Sequence, residues 1–270
     1  MTVSLTTICG FFEHSRQAFY KRQIKALKTF HEEQPILSEI HRIRRVLPKL
    51  GGRKLHLDLK EMKFKIGRDK LFDLLRRQDL LVKRPKRSFR TTYSNHRFRK
   101  YDNLIQGVEL TGPNQVFVSD ITYLRVASGF VYLCLITDAF SRKIVGWDIS
   151  SSLSIDGAIR ALKMALRTVP HPDGLIHHSD RGIQYCCHDY VQLLENSHVL
   201  ISMTEENHCY ENAIAERVNG ILKDEFFLDQ TLPSLEVAKE LVRNSVRTYN
   251  FKRRHMSINY KTPNEVHSCP

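Results

Sequence analysis

The sequence predicts an α/β core preceded by an all-helical region, and three observations predict it. Beyond Pro113, short apolar runs rich in β-branched and aromatic residues alternate with helical periodicities. The first 110 residues instead place apolar side chains at helical spacing between Gly and Pro breaks. The charge divides at the same place. Residues 1–110 hold 26 Lys and Arg against 11 Asp and Glu, a net of +15, whereas residues 111–270 hold 16 against 18, a net of −2. One part is suited to meeting a polyanion; the other, nearly neutral yet rich in carboxylates, is suited to holding metal ions beside one.

In the N-terminal region, Ser15 is placed to cap a helix through Ala18, Phe19 and Tyr20. A separate helix is expected over residues 36–46, where Ile36, Ile40, Ile43 and Val46 recur before Pro48, and Gly51 and Gly52 open a third. After Gly67, the segment GRDKLFDLLRRQDLL sets Leu71, Leu74 and Leu75 on one side and Arg68, Arg76 and Arg77 largely elsewhere. This spacing suits a helix-turn-helix with an exposed basic helix over residues 1–82, the alternative being a plain bundle with a solvated charged face. Residues 83–112 read as a basic linker. Lys83, Arg84, Lys86, Arg87, Arg90, Arg97, Arg99 and Lys100 are interleaved with Phe89, Tyr93 and Phe98 and no acid, either tracking DNA phosphates or forming a solvated tether.

Residues 113–270 are expected to form strands over 115–126, 130–137, 143–149, 175–178 and 199–203. Helices are expected over 155–166 and 190–194, with two more towards the C-terminus. No run approaches the 18 apolar residues of a membrane span, so the expected setting is cytoplasmic, with no membrane partner. The six cysteines form no C-x-x-C pair and are expected as reduced, buried thiols.

Breaking and rejoining a phosphodiester needs an activated attacking oxygen and a neutralised leaving oxygen, and two divalent ions serve both ends. Hard ions of that kind prefer oxygen ligands, which directs attention to carboxylates. Asp180 and Glu216 are separated by 35 residues, but Asp73 with Glu109, Asp189 with Glu225 and Asp229 with Glu265 share that interval, so spacing alone does not choose. Placement does. Asp120 lies mid-strand in VFVSDITYL, on one face with Val116, Val118 and Thr122. Asp180 ends the strand GLIHHSD ahead of Arg181 and Gly182. Glu216 sits on the helix ENAIAERVNGILKDEF, where Ile214, Val218, Ile221 and Leu222 form the core stripe and Asn212, Glu216, Gly220 and Lys223 share another face. Asp120, Asp180 and Glu216 are therefore the candidate catalytic and metal-holding residues.

Further candidates surround them. Asn212 either orients Glu216, bonds DNA or caps the helix; Arg181 and Gln184 either meet phosphate or a base near the cut or stand exposed. Arg142 and Lys223 are candidate backbone contacts, and Arg253 and His255 a candidate clamp on a strand end. His177 and His178 read as strand residues rather than metal ligands, and Trp147 as core packing.

The motifs DITYL at 120, DAFSRKIVGW at 138, HSDRGIQY at 178, ENAIAERVNGILKDEF at 211 and YNFKRRHMSINYKTPNEV at 249 closely resemble the B-frame transposases of the insertion-sequence-three family, with a retroviral-integrase-like catalytic core. The resemblance implies a ribonuclease H-like fold with a five-stranded mixed sheet and flanking helices. It implies Mg2+, or Mn2+, held as two ions by Asp120, Asp180 and Glu216. It further implies cleavage at the ends of a bacterial element followed by attack of the freed 3′-hydroxyl on another phosphodiester. The implied partners are double-stranded DNA at element ends and target, an A-frame chain or fusion, and further copies on DNA, in a nucleoid-associated setting. Arg254, where the family carries a proline, and Glu205 and Glu206, where many members carry basic residues, depart from the pattern. The alternatives are a transposase-derived DNA-binding regulator without catalysis and a nuclease that does not join.

Overall fold

A computed structural model describes residues 4–83, 97–205 and 212–268. Arg84, Lys86, Arg87, Arg90, Phe89, Tyr93 and Glu206 lie outside the described residues. The chain divides into two compact units, Met1–Lys83 and Arg84–Pro270.

The first unit contains helices α1 (Leu5–Phe11), α2 (Arg16–Val46), α3 (Gly52–Glu61) and α4 (Arg68–Arg77). Ser15 caps α2, its Oγ accepting from the backbone N–H of Ala18 at 3.1 Å. The break expected ahead of Ile36 is not there, because α2 runs unbroken through Pro35. Proline forfeits one i→i−4 hydrogen bond, and burial of Ile36, Ile40 and Ile43 in the following turns offsets that loss. Leu50, Leu55, Leu59, Leu71, Leu74 and Leu75 complete the core of this unit. A Cβ on Gly52 would lie 2.8 Å from the Phe72 ring, so the glycine allows the start of α3 to abut α4.

The second unit is built on a five-stranded mixed sheet of β1 (Val116–Val126), β2 (Gly129–Asp138), β3 (Ile144–Ser150), β4 (Ile176–Ser179) and β5 (Leu200–Met203). The order is β3-β2-β1-β4-β5, with the β1–β2 and β2–β3 pairs antiparallel and the β1–β4 and β4–β5 pairs parallel. Every expected strand is present, with its ends displaced by at most one residue. Ala127 and Ser128 form the first hairpin turn, and Gly129 opens β2 at φ 132°, a conformation that favours glycine. The parallel steps need crossovers, supplied by α5 (Ile155–Leu166) between β3 and β4, and by the short α6 (Ile183–Cys186) and α7 (His188–Asn196) between β4 and β5.

Each sheet face is covered. On one, Phe117, Cys134, Ile136 and Val145 pack with Ala158, Ala161 and Leu162 of α5 and with Tyr185, Tyr190 and Leu194. On the other, Leu124, Val126, Leu133, Leu135 and Ile149 pack with Val218, Ile221 and Leu222 of α8 (Ala213–Glu225) and Val242, Val246 and Tyr249 of α9 (Leu235–Lys252). Trp147 joins this second layer, as its strand position suggested. A final helix, α10 (Pro263–Ser268), follows. Part of the segment read as linker is laid on this unit: Tyr101 packs against the first core layer and Ile105 and Leu110 beside Val116 and Val118, while the Leu104 N–H donates to Ser202 Oγ at 2.8 Å. Apolar side chains spaced among the polar ones account for the docking.

The tightest approach is between β3 and α5. A Cβ on Gly146 would stand 2.2 Å from the Ala161 carbonyl oxygen and 2.9 Å from Ala165 Cβ. Gly146→Ala is expected to lower unfolding stability by about 2 kcal/mol or more in chemical denaturation, since helix and strand backbones must separate. Wild-type stability in that variant would show that the layer is not closed at this point.

Candidate active site

The register of the sheet brings the two aspartates together. In β1, Phe117 faces the α5 layer, while Val118, Asp120 and Leu124 face the α8–α9 side. Parallel pairing of β1 with β4 ends at Ser119 opposite Ser179, so Asp120 and Asp180 are the next residues on neighbouring strands. The C-terminal end of a parallel strand, here that of β4, is where open α/β sheets commonly bind ligands. The chain then turns so sharply that the Gly182 N–H donates to Asp180 Oδ1 at 3.0 Å. A Cβ on Gly182 would lie 2.9 Å from that oxygen, and glycine permits the approach.

The third acid comes from α8. Ala215, Val218, Ile221 and Leu222 are buried, leaving Glu216 on the open side. Two asparagines stitch the helix to β1. Asn212 Nδ2 donates to the Ser119 carbonyl at 3.0 Å, and Asn219 Nδ2 donates to Asp120 Oδ2 at 2.7 Å. Asn212 stands at the N-cap position of α8, but its side chain makes no capping hydrogen bond. Asn219 was not singled out from sequence, although an asparagine between Val218 and Leu222, on the buried side of the helix, is a signal that could have found it.

The electrostatics confirm that the acids sense one another. Burial is the largest influence on Asp120 and, with the Asp180 charge next and Glu216 after the Asn219 hydrogen bond, pushes its carboxyl up to about 7; the Asn219 and Ile121 hydrogen bonds oppose the rise. Burial lowers the Lys223 ammonium from its ordinary value, while the charges of Asp120 and Asp229 act to raise it. Three oxygen-donor side chains in mutual repulsion match a hard divalent cation in donor type and in charge. Among the described residues, however, no three Asp, Glu, His or Cys side chains are already gathered into a metal-ligand set. Asp120 nonetheless lies within electrostatic reach of both Asp180 and Glu216.

The other sequence candidates are placed as follows. Gln184 Nε2 donates to the Leu153 carbonyl at 3.1 Å, and half-buried Arg181 follows Asp180 directly. Arg142 adopts φ 67° in the β2–β3 turn, where its carbonyl accepts from Tyr249 Oη at 3.0 Å. Arg253 is an interior residue. At 2% exposed, it binds both carboxylate oxygens of Glu225 and contacts His255 Nε2 at 2.9 Å, and His255 is itself buried beside the Tyr249 ring. Arg253 and His255, the candidate clamp on a strand end, thus tie the chain after α9 to the end of α8. Arg254 Nη1 donates to the Tyr260 carbonyl at 3.1 Å in the loop where a proline was expected. His177 contacts Tyr190 Oη at 2.9 Å and His178 Nδ1 contacts Ser202 Oγ at 2.9 Å, both inside the unit. Burial, with His178 next, lowers the His177 imidazole to about 3, so it is neutral.

In the first unit Arg68 pairs with Asp69, Arg76 with Asp73 and Arg77 with Glu33 of α2. The rival intervals recruit acids used elsewhere: Asp73 in that pair, Glu225 with Arg253, and Glu265 accepting from the Thr262 N–H and hydroxyl.

The Asp120 shift has a testable sign. A carboxyl whose folded pKa is raised destabilises the folded state as pH rises from the unfolded value through about 7. In metal-free protein, Asp120→Asn should therefore gain stability over wild type as pH goes from 5.5 to 8.5, by on the order of 1–2 kcal/mol. A difference independent of pH in thermal or denaturant unfolding would contradict this environment.

An integrase core domain model matches residues 111–209 and a second integrase core domain model matches residues 197–263. The chain is 35% identical over 262 residues to the insertion element IS600 uncharacterized 31 kDa protein of Shigella sonnei, covering 95% of this chain and 96% of that one. It is 37% identical over 183 residues to the transposase InsF for insertion sequence IS3A of Escherichia coli (strain K12), covering 67% of this chain and 64% of the relative. In fold it is similar to a chain of the simian T-cell lymphotropic virus intasome solved with the PP2A regulatory subunit B56 gamma, at a TM-score of 0.53 and 16% identity, covering 86% of this chain and 74% of that one. The sheet order and flanking helices agree with a ribonuclease H-like α/β fold. The chain belongs to the IS3 family of insertion-sequence transposases, with an integrase core domain in its second unit.

Proposed function

We propose that this transposase cleaves DNA at the ends of its element and transfers the freed 3′-hydroxyl to a second phosphodiester, using Asp120, Asp180 and Glu216 to hold divalent metal. The observation that carries the reading is geometric: the β1–β4 register puts Asp120 beside Asp180, and Asn219 ties the helix that bears Glu216 to Asp120, where burial first and then the Asp180 and Glu216 charges push the Asp120 carboxyl up to about 7. Mg2+ or Mn2+, two ions per site, suits a donor set made of carboxylate oxygens. When bound, such ions activate the attacking oxygen and neutralise the leaving oxygen. The chain's part is to hold the acids in register. β1 and β4 deliver Asp120 and Asp180 side by side, and α8 delivers Glu216 with Lys223 two turns on. Lys223, half-buried and sensing the Asp120 charge, is placed to meet a phosphate beside the ions.

DNA binding follows from the same reading. The excess of 15 positive charges over residues 1–110 supplies phosphate neutralisation. Arg68 and Arg76 are exposed on α4, and their ion pairs with Asp69 and Asp73 are surface pairs of small worth that phosphates can displace. Arg77 and Lys83 extend that surface, and the basic run including Arg84, Lys86 and Arg87 continues it in sequence. Arg142, Arg181 and Gln184 lie in the unit that carries the acids. Residues 1–82 serve as the DNA-binding region, 83–112 as its basic connection and 113–270 as the catalytic region. The partners are element-end and target duplexes, further copies of the chain on DNA, and an A-frame chain, separate or fused. Among the described residues no helix is long and apolar enough to cross a membrane, and a nucleoid-associated place in the bacterial cytoplasm fits the basic charge.

The test is an Mg2+-dependent assay on a labelled element-end duplex. Wild type should give cleaved and joined products, and Asp180→Asn or Glu216→Gln should reduce both by more than roughly 10³-fold while retaining DNA binding. Joined product surviving Asp180→Asn would refute the assignment. Wild-type cleavage without joining would mark a nuclease, and binding without either would mark a regulator.

A further inference from the structure

The site contains a side chain that its acids do not account for. Asn219 sits one turn after Glu216 on α8 and is 4% exposed. A buried amide on a face otherwise given to Ala215, Val218 and Leu222 is costly unless its polar atoms are used. One is used fully, since Nδ2 donates to Asp120 Oδ2 at 2.7 Å. The other is not, because Oδ1 is buried and has no hydrogen-bond partner among the described residues. An unmet buried acceptor costs about 1–3 kcal/mol. Its persistence beside three carboxylates points to a donor that arrives with a ligand. With Asp120 ionised, as it is when it holds a cation, the amide cannot simply turn round, because Oδ1 would then face a carboxylate oxygen.

We propose that Asn219 is a positioning residue for the metal site. Its N–H fixes the Asp120 carboxylate through Oδ2, leaving the other oxygen to the ion, and its Oδ1 accepts a hydrogen bond from water carried by a hydrated divalent cation. Mg2+ gives up its waters reluctantly, so a fixed acceptor next to the carboxylates stabilises the hydrated ion without ligating it. Asn212 supports the arrangement from the start of the same helix. Its bond to the Ser119 carbonyl, one residue before Asp120, fixes α8 on β1 at a second point. Glu216 lies between these two attachments, so the strand that carries the first acid sets the position of the third.

This inference rests on the metal-holding role proposed for Asp120, Asp180 and Glu216, and the experiment separates the two. Asn219→Leu keeps the branched side-chain shape and removes both polar atoms, and Asn219→Ala guards against overpacking by the bulkier leucine. Full-length protein without DNA is titrated calorimetrically with Mg2+, its melting is followed in chelator, and joining is measured against Mg2+ concentration. The expected result is Mg2+ affinity about tenfold weaker in both variants, with melting in chelator near that of wild type. Joining at saturating Mg2+ should recover to within a fewfold of wild type. Affinity within twofold of wild type, in either variant that melts normally, overturns the role of Asn219, as does a loss of joining that saturating Mg2+ does not restore. Asp180→Asn is the companion arm. If it binds Mg2+ like wild type, the carboxylate reading itself fails; if it loses binding while Asn219→Leu does not, only the positioning role fails.

Discussion

Like charges repel, and a chain that brings Asp120, Asp180 and Glu216 within electrostatic reach must hold them against that repulsion. The chain does so by giving each acid a different and rigid support. Asp120 is fixed by β1, hydrogen-bonded on both sides to β2 and β4; Asp180 by a turn closed onto its own carboxylate; Glu216 by a helix packed across the sheet. The repulsion is visible in the Asp120 carboxyl, which burial, Asp180 and Glu216 together hold near 7. A cation would relieve what the folded chain sustains, so folding and metal binding are linked in this region.

Much of the second unit can be seen as the scaffold for that constraint. The parallel β1–β4 register determines that two aspartates sixty residues apart in sequence become neighbours. The α5 layer closes one sheet face so tightly that β3 needs Gly146, and the α8–α9 layer closes the other. Arg253 and Glu225 then lock the end of α8 to the chain following α9. A buried pair of this kind is costly to break because each partner would be left as an unpaired interior charge. Its value here is that it restricts the helix bearing Glu216.

The strands were legible because period-2 alternation and turn residues are local signals, and the side of the sheet on which Asp120 lies followed from the same alternation. The proximity of Asp120, Asp180 and Glu216 was legible from placement, while the 35-residue interval was not informative. Other features depended on contacts that sequence does not carry. Pro35 looks like a helix boundary when considered alone, yet α2 continues because the following isoleucines are buried. Arg253 and His255 read as a candidate clamp on a strand end, and the interior pairing of Arg253 with Glu225, 28 residues before it, is a contact that sequence spacing does not show. Asn219 is a polar residue on the buried side of an amphipathic helix, and only the position of Asp120 across the interface explains it.

The central claim is that these three acids hold the metal. Anomalous scattering from Mn2+-soaked crystals of the full chain tests it most directly. The account predicts manganese peaks bounded by Asp120, Asp180 and Glu216, lost in Asp180→Asn crystals soaked alike. Manganese bound elsewhere, with none among these carboxylates, would contradict it.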